Sequence, residues 1–251
     1  MVKPALQAML IAYPFALLGM QIVDSSSTWC SSNRMTVERT PGLQKNSQKK
    51  NKKKWNSLFD GKTLKGWKKT NFGGEGEVSV ESGKIVLEVG SDMTGIHTDR
   101  KLPKNNYEVR WEAQRVDGSD FFCGFTFPVG KEYCSLIAGG WGGGVCGLSS
   151  IDEKDASENN TTSYRQFKNK KWYRFRLRVT DKKIVAWMNG KKLLDQKRGK
   201  HKFSLRSEIV ASKPFGFATW QSTGAIRKIE LRKIPSANSK KKSESNKTGG
   251  Y

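Results

Sequence analysis

Histidine is almost missing from this chain. His97 and His201 are the only two in 251 residues, too few for a typical zinc hydrolase site, although His97 joined by carboxylates would still offer a seat to a metal. Cysteine is scarce as well. Cys30 stands in the leading segment, and Cys123, Cys134 and Cys146 make an odd set without the paired short spacing of a zinc site. Each lies beside apolar or glycine residues, the setting of a buried free thiol, and core positions are expected. No apolar run is long enough to span a bilayer, no amphipathic helical pattern beyond a few turns appears after residue 55, and there is no internal repeat. A spanning helix, a helical bundle and a repeat array are therefore not expected.

Acidic residues are in deficit too, 23 against 46 basic, for a net charge of +23. Residues 1–54 hold nine basic and two acidic residues, 55–234 hold 33 and 20, and 235–251 hold four and one. The flanking segments carry lysine runs (Lys49, Lys50, Lys52, Lys53 and Lys54; Lys240, Lys241 and Lys242) and almost nothing apolar for a core. A basic disordered linker over 24–54 and a basic disordered tail over 235–251 are expected, solvated or in contact with anionic surfaces. Limited proteolysis is expected to leave a fragment near 55–234, and a stable fragment lacking 226–233 would contradict that boundary.

The first 23 residues read as a leader: Lys3, then an apolar run from Ala8 to Met20. The run is of signal-peptide length and short for a bilayer span. Export to the periplasm or outside the cell is the expectation; a start at Met35 would instead leave the protein cytoplasmic.

From Trp55 the texture changes to period-two alternation broken by Gly, Asn and Asp, the pattern of half-buried antiparallel strands. Residues 77–81 and 84–89 flank Ser82-Gly83, and 183–188 and 191–195 flank Asn189-Gly190, both hairpin signals. Residues 107–116, 172–179 and 225–234 alternate apolar with charged residues. Strands at roughly ten-residue spacing without helices predict an all-β sandwich over 55–234. The basic residues on these strands read as its solvated face.

One stretch breaks the pattern. Segments 121–127 and 133–138 are apolar on both faces and run into a loop in which Trp141 stands among glycines. Glycine weakens strands, so such a cluster points to bulges or to close approach of backbone to a ligand. A flat indole in that setting suits the CH face of a sugar ring; the alternative is a tryptophan folded back as a core plug. The loop lacks the Lys-Ser/Thr of a phosphate-binding loop, and nucleic acid is not the expected partner.

Ser57-Leu-Phe-Asp-Gly-Lys-Thr-Leu-Lys-Gly-Trp67 resembles the opening motif of the 3-keto-disaccharide hydrolase domain family, also known as 3-keto-glucoside lyases or hydratases. Segments 76–85, 106–110, 172–176, 186–190, 214–218 and 226–231 resemble the family in the same order. The resemblance implies a concanavalin-like jelly roll with a carbohydrate or keto-sugar as partner. It also implies a reaction in which a base removes the C2 proton of a 3-keto-glycoside, the aglycone leaves by β-elimination, and water adds back. Such chemistry needs a base, an acid for the leaving group and an electrophile at the C3 carbonyl, a role open to a divalent metal ion. Typical members place a carboxylate in a Tyr-Glu-Val-Gln strand; here Cys134 or Ser135 stands in its place.

Asp120 and Asp152 are the carboxylates expected to substitute as base, with His97 as partner. Trp141 and Trp220 are the expected stacking platforms, and Gln221 and Ser135 the expected polar contacts. Two functions follow: a hydrolase or lyase on 3-keto-glycosides, or a glycan-binding module of the same fold, which the missing glutamate favours.

Overall fold

The computed structural model describes residues 54–236, so the leader, most of the linker and nearly all of the tail lie outside the described residues. The strands in chain order are β1 (Asn56–Ser57), β2 (Lys68–Lys69), β3 (Val78–Glu81), β4 (Lys84–Leu87), β5 (Met93–His97), β6 (Tyr107–Gly118), β7 (Cys123–Val129) and β8 (Glu132–Gly140). They continue as β9 (Val145–Ser149), β10 (Ser163–Tyr164), β11 (Trp172–Val179), β12 (Lys183–Met188), β13 (Lys191–Lys197), β14 (Gly216–Trp220) and β15 (Ser222–Lys233). A short 3₁₀ helix, Ser207–Ser212, is the sole helix among the described residues.

Two antiparallel sheets form. The first runs β13-β12-β11-β6-β15-β4-β3 with β1 on β15, and the second runs β10-β9-β8-β7-β14-β5-β2. This is the expected jelly-roll sandwich. Alternation sends Tyr173, Phe175, Leu177 and Val179 of β11 into the core and leaves Arg174 exposed. Trp111 of β6 joins the sheets, stacked on Phe175 with centroids 5.4 Å apart and tilted against Phe125 at 4.6 Å. Both hairpin signals form tight turns with two residues at positive φ: Ser82 and Gly83 at 46° and 78°, Asn189 and Gly190 at 49° and 82°.

β15 differs from its expected clean alternation. Ala225, Ile226, Ile229 and Leu231 are all buried, which strict period two cannot achieve. A bulge between Arg227 and Glu230, with Lys228 at φ 53°, re-phases the strand so that Ile226 and Ile229 both reach the core.

The opening motif proves to be a staple for this end of the sandwich. Leu58, Phe59 and Trp67 are core residues, and Trp67 Nε1 donates to Leu58 O at 2.8 Å. Asp60 accepts from the backbone N–H groups of Thr63 and Lys62, each at 2.8 Å, and from the Thr63 hydroxyl, which holds its carboxyl down at about 2. Gly66 has φ 78°, and a side chain there would strike the Arg100 guanidinium.

Cys123, Cys134 and Cys146 are free and buried, as expected. Burial pushes Cys123 up to about 12 and Cys146 up to about 11. Thiol labelling of the native protein at neutral pH is expected to be slow and to become complete only in denaturant, since the thiolate is the reactive species. Mass spectrometry that finds a disulfide among the three would overturn this.

Candidate functional site

The outer side of the second sheet carries a cavity of about 240 Å³. β7 and β8 turn Phe125, Phe127, Cys134 and Leu136 into the core, while Ser135 and Ile137 line the cavity. Of the two positions at which a family carboxylate would stand, Ser135 therefore faces the cavity and Cys134 the core. Ser135 pairs in register with Ser149 of β9, which also lines the cavity, and its hydroxyl lies 2.9 Å from that of Thr126.

The β8–β9 loop brings Trp141 to the same cavity. Trp141 is 43% exposed, so it is not a core plug. Its φ of 49° is left-handed, a conformation that costs a non-glycine residue about 1–2 kcal/mol. The glycines have a structural reason as well: at Gly143, φ 109°, a Cβ would fall 2.3 Å from the Ser119 carbonyl oxygen. Asp120 fastens this loop. Its Oδ2 accepts the Gly142 N–H at 3.0 Å and its Oδ1 the Phe121 N–H at 2.6 Å. Behind it the buried Arg115 donates to Asn169 Oδ1, Asp120 O and Phe167 O, which stiffens the base of the loop.

The 3₁₀ helix closes another side. Ile209 packs over Gly124, where a Cβ would lie 3.3 Å from Ile209 Cδ1. Arg206 and Glu208 reach the lining from there, with Nη2 of Arg206 2.8 Å from Glu208 Oε1 and Nη1 2.7 Å from Asp155 Oδ2. Burial pushes the Glu208 carboxyl up, but hydrogen bonds from Arg206, its own backbone and Ser207 outweigh this and leave it below the usual range. Trp220, tilted against Phe121 with centroids 6.4 Å apart, and Met93 complete the apolar lining.

Four residues expected from sequence thus meet at one cavity: Asp120, Ser135, Trp141 and Trp220. Three others stand elsewhere. Gln221 turns away to Asp92, its N–H donating to Asp92 O at 2.8 Å. His97 is at the far end of the β5/β14 pair, opposite Gly216 where Trp220 is opposite Met93, about 14 Å along the strands. Its Nδ1 is 2.9 Å from Thr70 Oγ1, and burial, helped by Lys68, lowers its pKa. Asp152 sits on an exposed turn, 2.6 Å from His201 Nδ1, and that bond together with the Lys202 N–H lowers its pKa.

Arg206, Glu208, Ile209 and Ser149 have no local sequence signal. Ser149 reaches the cavity through its register with Ser135, and the other three because an irregular segment folds over the sheet. Among the described residues no group of three or more His, Cys, Asp or Glu gathers as a metal site. The carboxylates at the cavity do not fit a divalent cation, since Asp120 is bound to backbone N–H groups and Glu208 to a guanidinium.

Residues 54–232 match the model of the 3-keto-alpha-glucoside-1,2-lyase-like domain. The chain belongs to that family. The opening motif of this chain is the staple described above, and none of its residues lines the cavity. No curated protein matches the sequence. Among solved structures, a Bacillus subtilis protein of unknown function with a galectin-like fold superposes with a TM-score of 0.49 at 12% identity, covering 72% of this chain and 94% of its own. Carbohydrate-binding module CBM66 of Bacillus subtilis gives 0.45 at 10% identity, covering 66% and 95%. Domain 4 of a Geobacillus stearothermophilus extracellular arabinanase, in complex with arabinotriose, gives 0.45 at 16% identity, covering 69% and 84%.

Proposed function

We propose that the cavity seats a single sugar ring or chain end, of the keto-glycoside class that the family name carries, and that this lyase-like domain recognises carbohydrate there. The observation that carries the reading is the pairing of two tryptophans, one of them half exposed on a strained loop, with serine hydroxyls at the same cavity. Indole faces take the apolar CH side of a sugar, and hydroxyls fix its orientation. The volume, about 240 Å³, is below the usual ligand pocket of roughly 300–1,000 Å³ and suits one ring better than a bound chain.

Recognition is better supported than turnover, because neither Cys134 nor Ser135, the two residues that stand where a family carboxylate is expected, is a carboxylate, and Asp120 spends both oxygens on loop backbone. One observation favours elimination as a second reading: Glu208 and Arg206 are together in the lining. In that reading Glu208 takes the C2 proton, the electrons left at C2 form the C1–C2 double bond, and the C1–oxygen bond to the aglycone breaks. Arg206 steadies the negative charge at the C3 oxygen, and the departing oxygen takes up the proton that Glu208 removed, which returns Glu208 to its carboxylate.

Two measurements on the same protein distinguish the readings: calorimetric titration with 3-keto-glucosides and their unoxidised parents, and release of a chromogenic aglycone. Binding without release supports recognition. Release that falls about a hundredfold or more in Glu208→Gln, with binding retained, establishes elimination instead. Absence of both binding and release overturns the sugar site. Asp120→Asn keeps the geometry but weakens the hold on the Gly142 N–H. It is expected to lower affinity a few-fold through loop mobility, and loss of turnover with unchanged affinity would make Asp120 the base.

A further inference from the structure

The outer face of the first sheet holds a second basin, about 620 Å³, on different residues from the sugar cavity. Strand register arranges its side chains in rows. Trp187 of β12, Arg176 of β11, Arg110 of β6 and Glu230 of β15 are successive partners, and the next row runs Arg174, Glu112, Arg227.

The carboxylates of this face are already taken. Glu230 is 2.6 Å from Arg110, Glu112 is 2.7 Å from Arg227 and 3.1 Å from Lys228, and the fully buried Glu108 holds Arg178 and Arg232. Arg174 and Arg176 take part in no ion pair among the described residues, although both line the basin. Arg176 stands across from Arg110 in register, but Arg110 is held by Glu230 and lies over the Trp55 ring at 4.4 Å, so Arg176 is left without a carboxylate. Its guanidinium carbon lies 4.0 Å from the Trp187 ring centroid, which fixes the group in place and covers that indole face.

We propose that this basin is a second binding site, for an acidic saccharide whose sulfate or carboxylate group is held by Arg174 and Arg176. Planar guanidinium forks suit such oxyanions, and an anion held by Arg174 and Arg176 supplies the counter-charge that no carboxylate of this face gives them. Each indole of this flat face is covered by arginine, Trp187 by Arg176, Trp55 by Arg110 and Arg232, and Trp172 by Arg227, so it offers neither a groove-reading element nor a free stacking platform, and nucleic acid fits it poorly. The proposal is independent of the sugar cavity.

The test uses the full chain, basic tails included, titrated by calorimetry at about 0.15 M salt with a sulfated hexasaccharide of defined length. The double variant Arg174→Gln/Arg176→Gln is expected to bind it about tenfold or more weakly than the parent, while binding at the sugar cavity is unchanged. Equal affinity of parent and double variant would overturn the proposal and leave the lysine-rich tails as the polyanion contact. Duplex DNA of the same charge binding as tightly, and through the same two arginines, would overturn the choice of saccharide. Should the double variant unfold, Arg174→Glu at the exposed position alone is read instead, with the same tenfold loss expected and an unchanged affinity counting against the site.

Discussion

Trp141→Ala is expected to weaken sugar binding by about 1–3 kcal/mol, roughly five- to 150-fold, with little change in melting temperature. The two effects separate because of where the residue stands. At 43% exposed, Trp141 contributes little burial to the core, and its backbone at φ 49° stays strained whichever side chain it carries. Trp141→Gly makes the same truncation and also removes the left-handed penalty of about 1 kcal/mol. Glycine should therefore match alanine in lost affinity and equal or exceed it in stability. Cooperative unfolding of Trp141→Ala at room temperature, with unchanged affinity in the surviving folded fraction, would show that the indole supports the fold and that the sugar binds elsewhere.

The largest expected loss of stability is at Trp111. Trp111→Ala removes a side chain 2% exposed that stacks on Phe175, tilts against Phe125, meets Phe217 edge-on at 5.6 Å and donates Nε1 to Cys123 Sγ at 3.3 Å. Truncations of buried aromatics cost about 3–5 kcal/mol, from lost transfer energy and from the cavity left behind. For a domain of this size that is a drop on the order of 10 °C in melting temperature. Trp111→Phe should recover a good part of it, since it keeps the stacking and loses mainly volume. A drop of only a degree or two in Trp111→Ala would mean that the two sheets close over the gap.

How legible the domain was from sequence depends on how local each signal is. Strands β11 and β12 begin and end where alternation says they do, because one buried and one solvated face impose period two directly on the residues. The turns at Ser82-Gly83 and Asn189-Gly190 were readable because their backbone angles restrict which residues fit. β15 was only half readable, since the bulge at Lys228 answers to its neighbours β6 and β4 rather than to its own pattern. At the cavity, Trp141 was readable as an aromatic among glycines, and Trp220 through its family strand. Ser149, Arg206 and Glu208 were not, because nothing near them in the chain marks them.

The sequence by itself determined an all-β sandwich, its family, its buried thiols and the loop that carries Trp141, since hydrophobic period, turn chemistry and residue scarcity are properties of short stretches. Tertiary structure alone decided which side of the β8 strand faces the cavity, and so placed Ser135 outward and Cys134 in the core; a register difference of one residue inverts that assignment. It alone took His97, Asp152 and Gln221 away from Asp120, and brought Arg206 and Glu208 from an irregular segment to the cavity. The same holds for the arginine rows on the other sheet. Alternation predicts that those side chains point outward, but which of them find a carboxylate depends on strands far apart in the chain lying side by side.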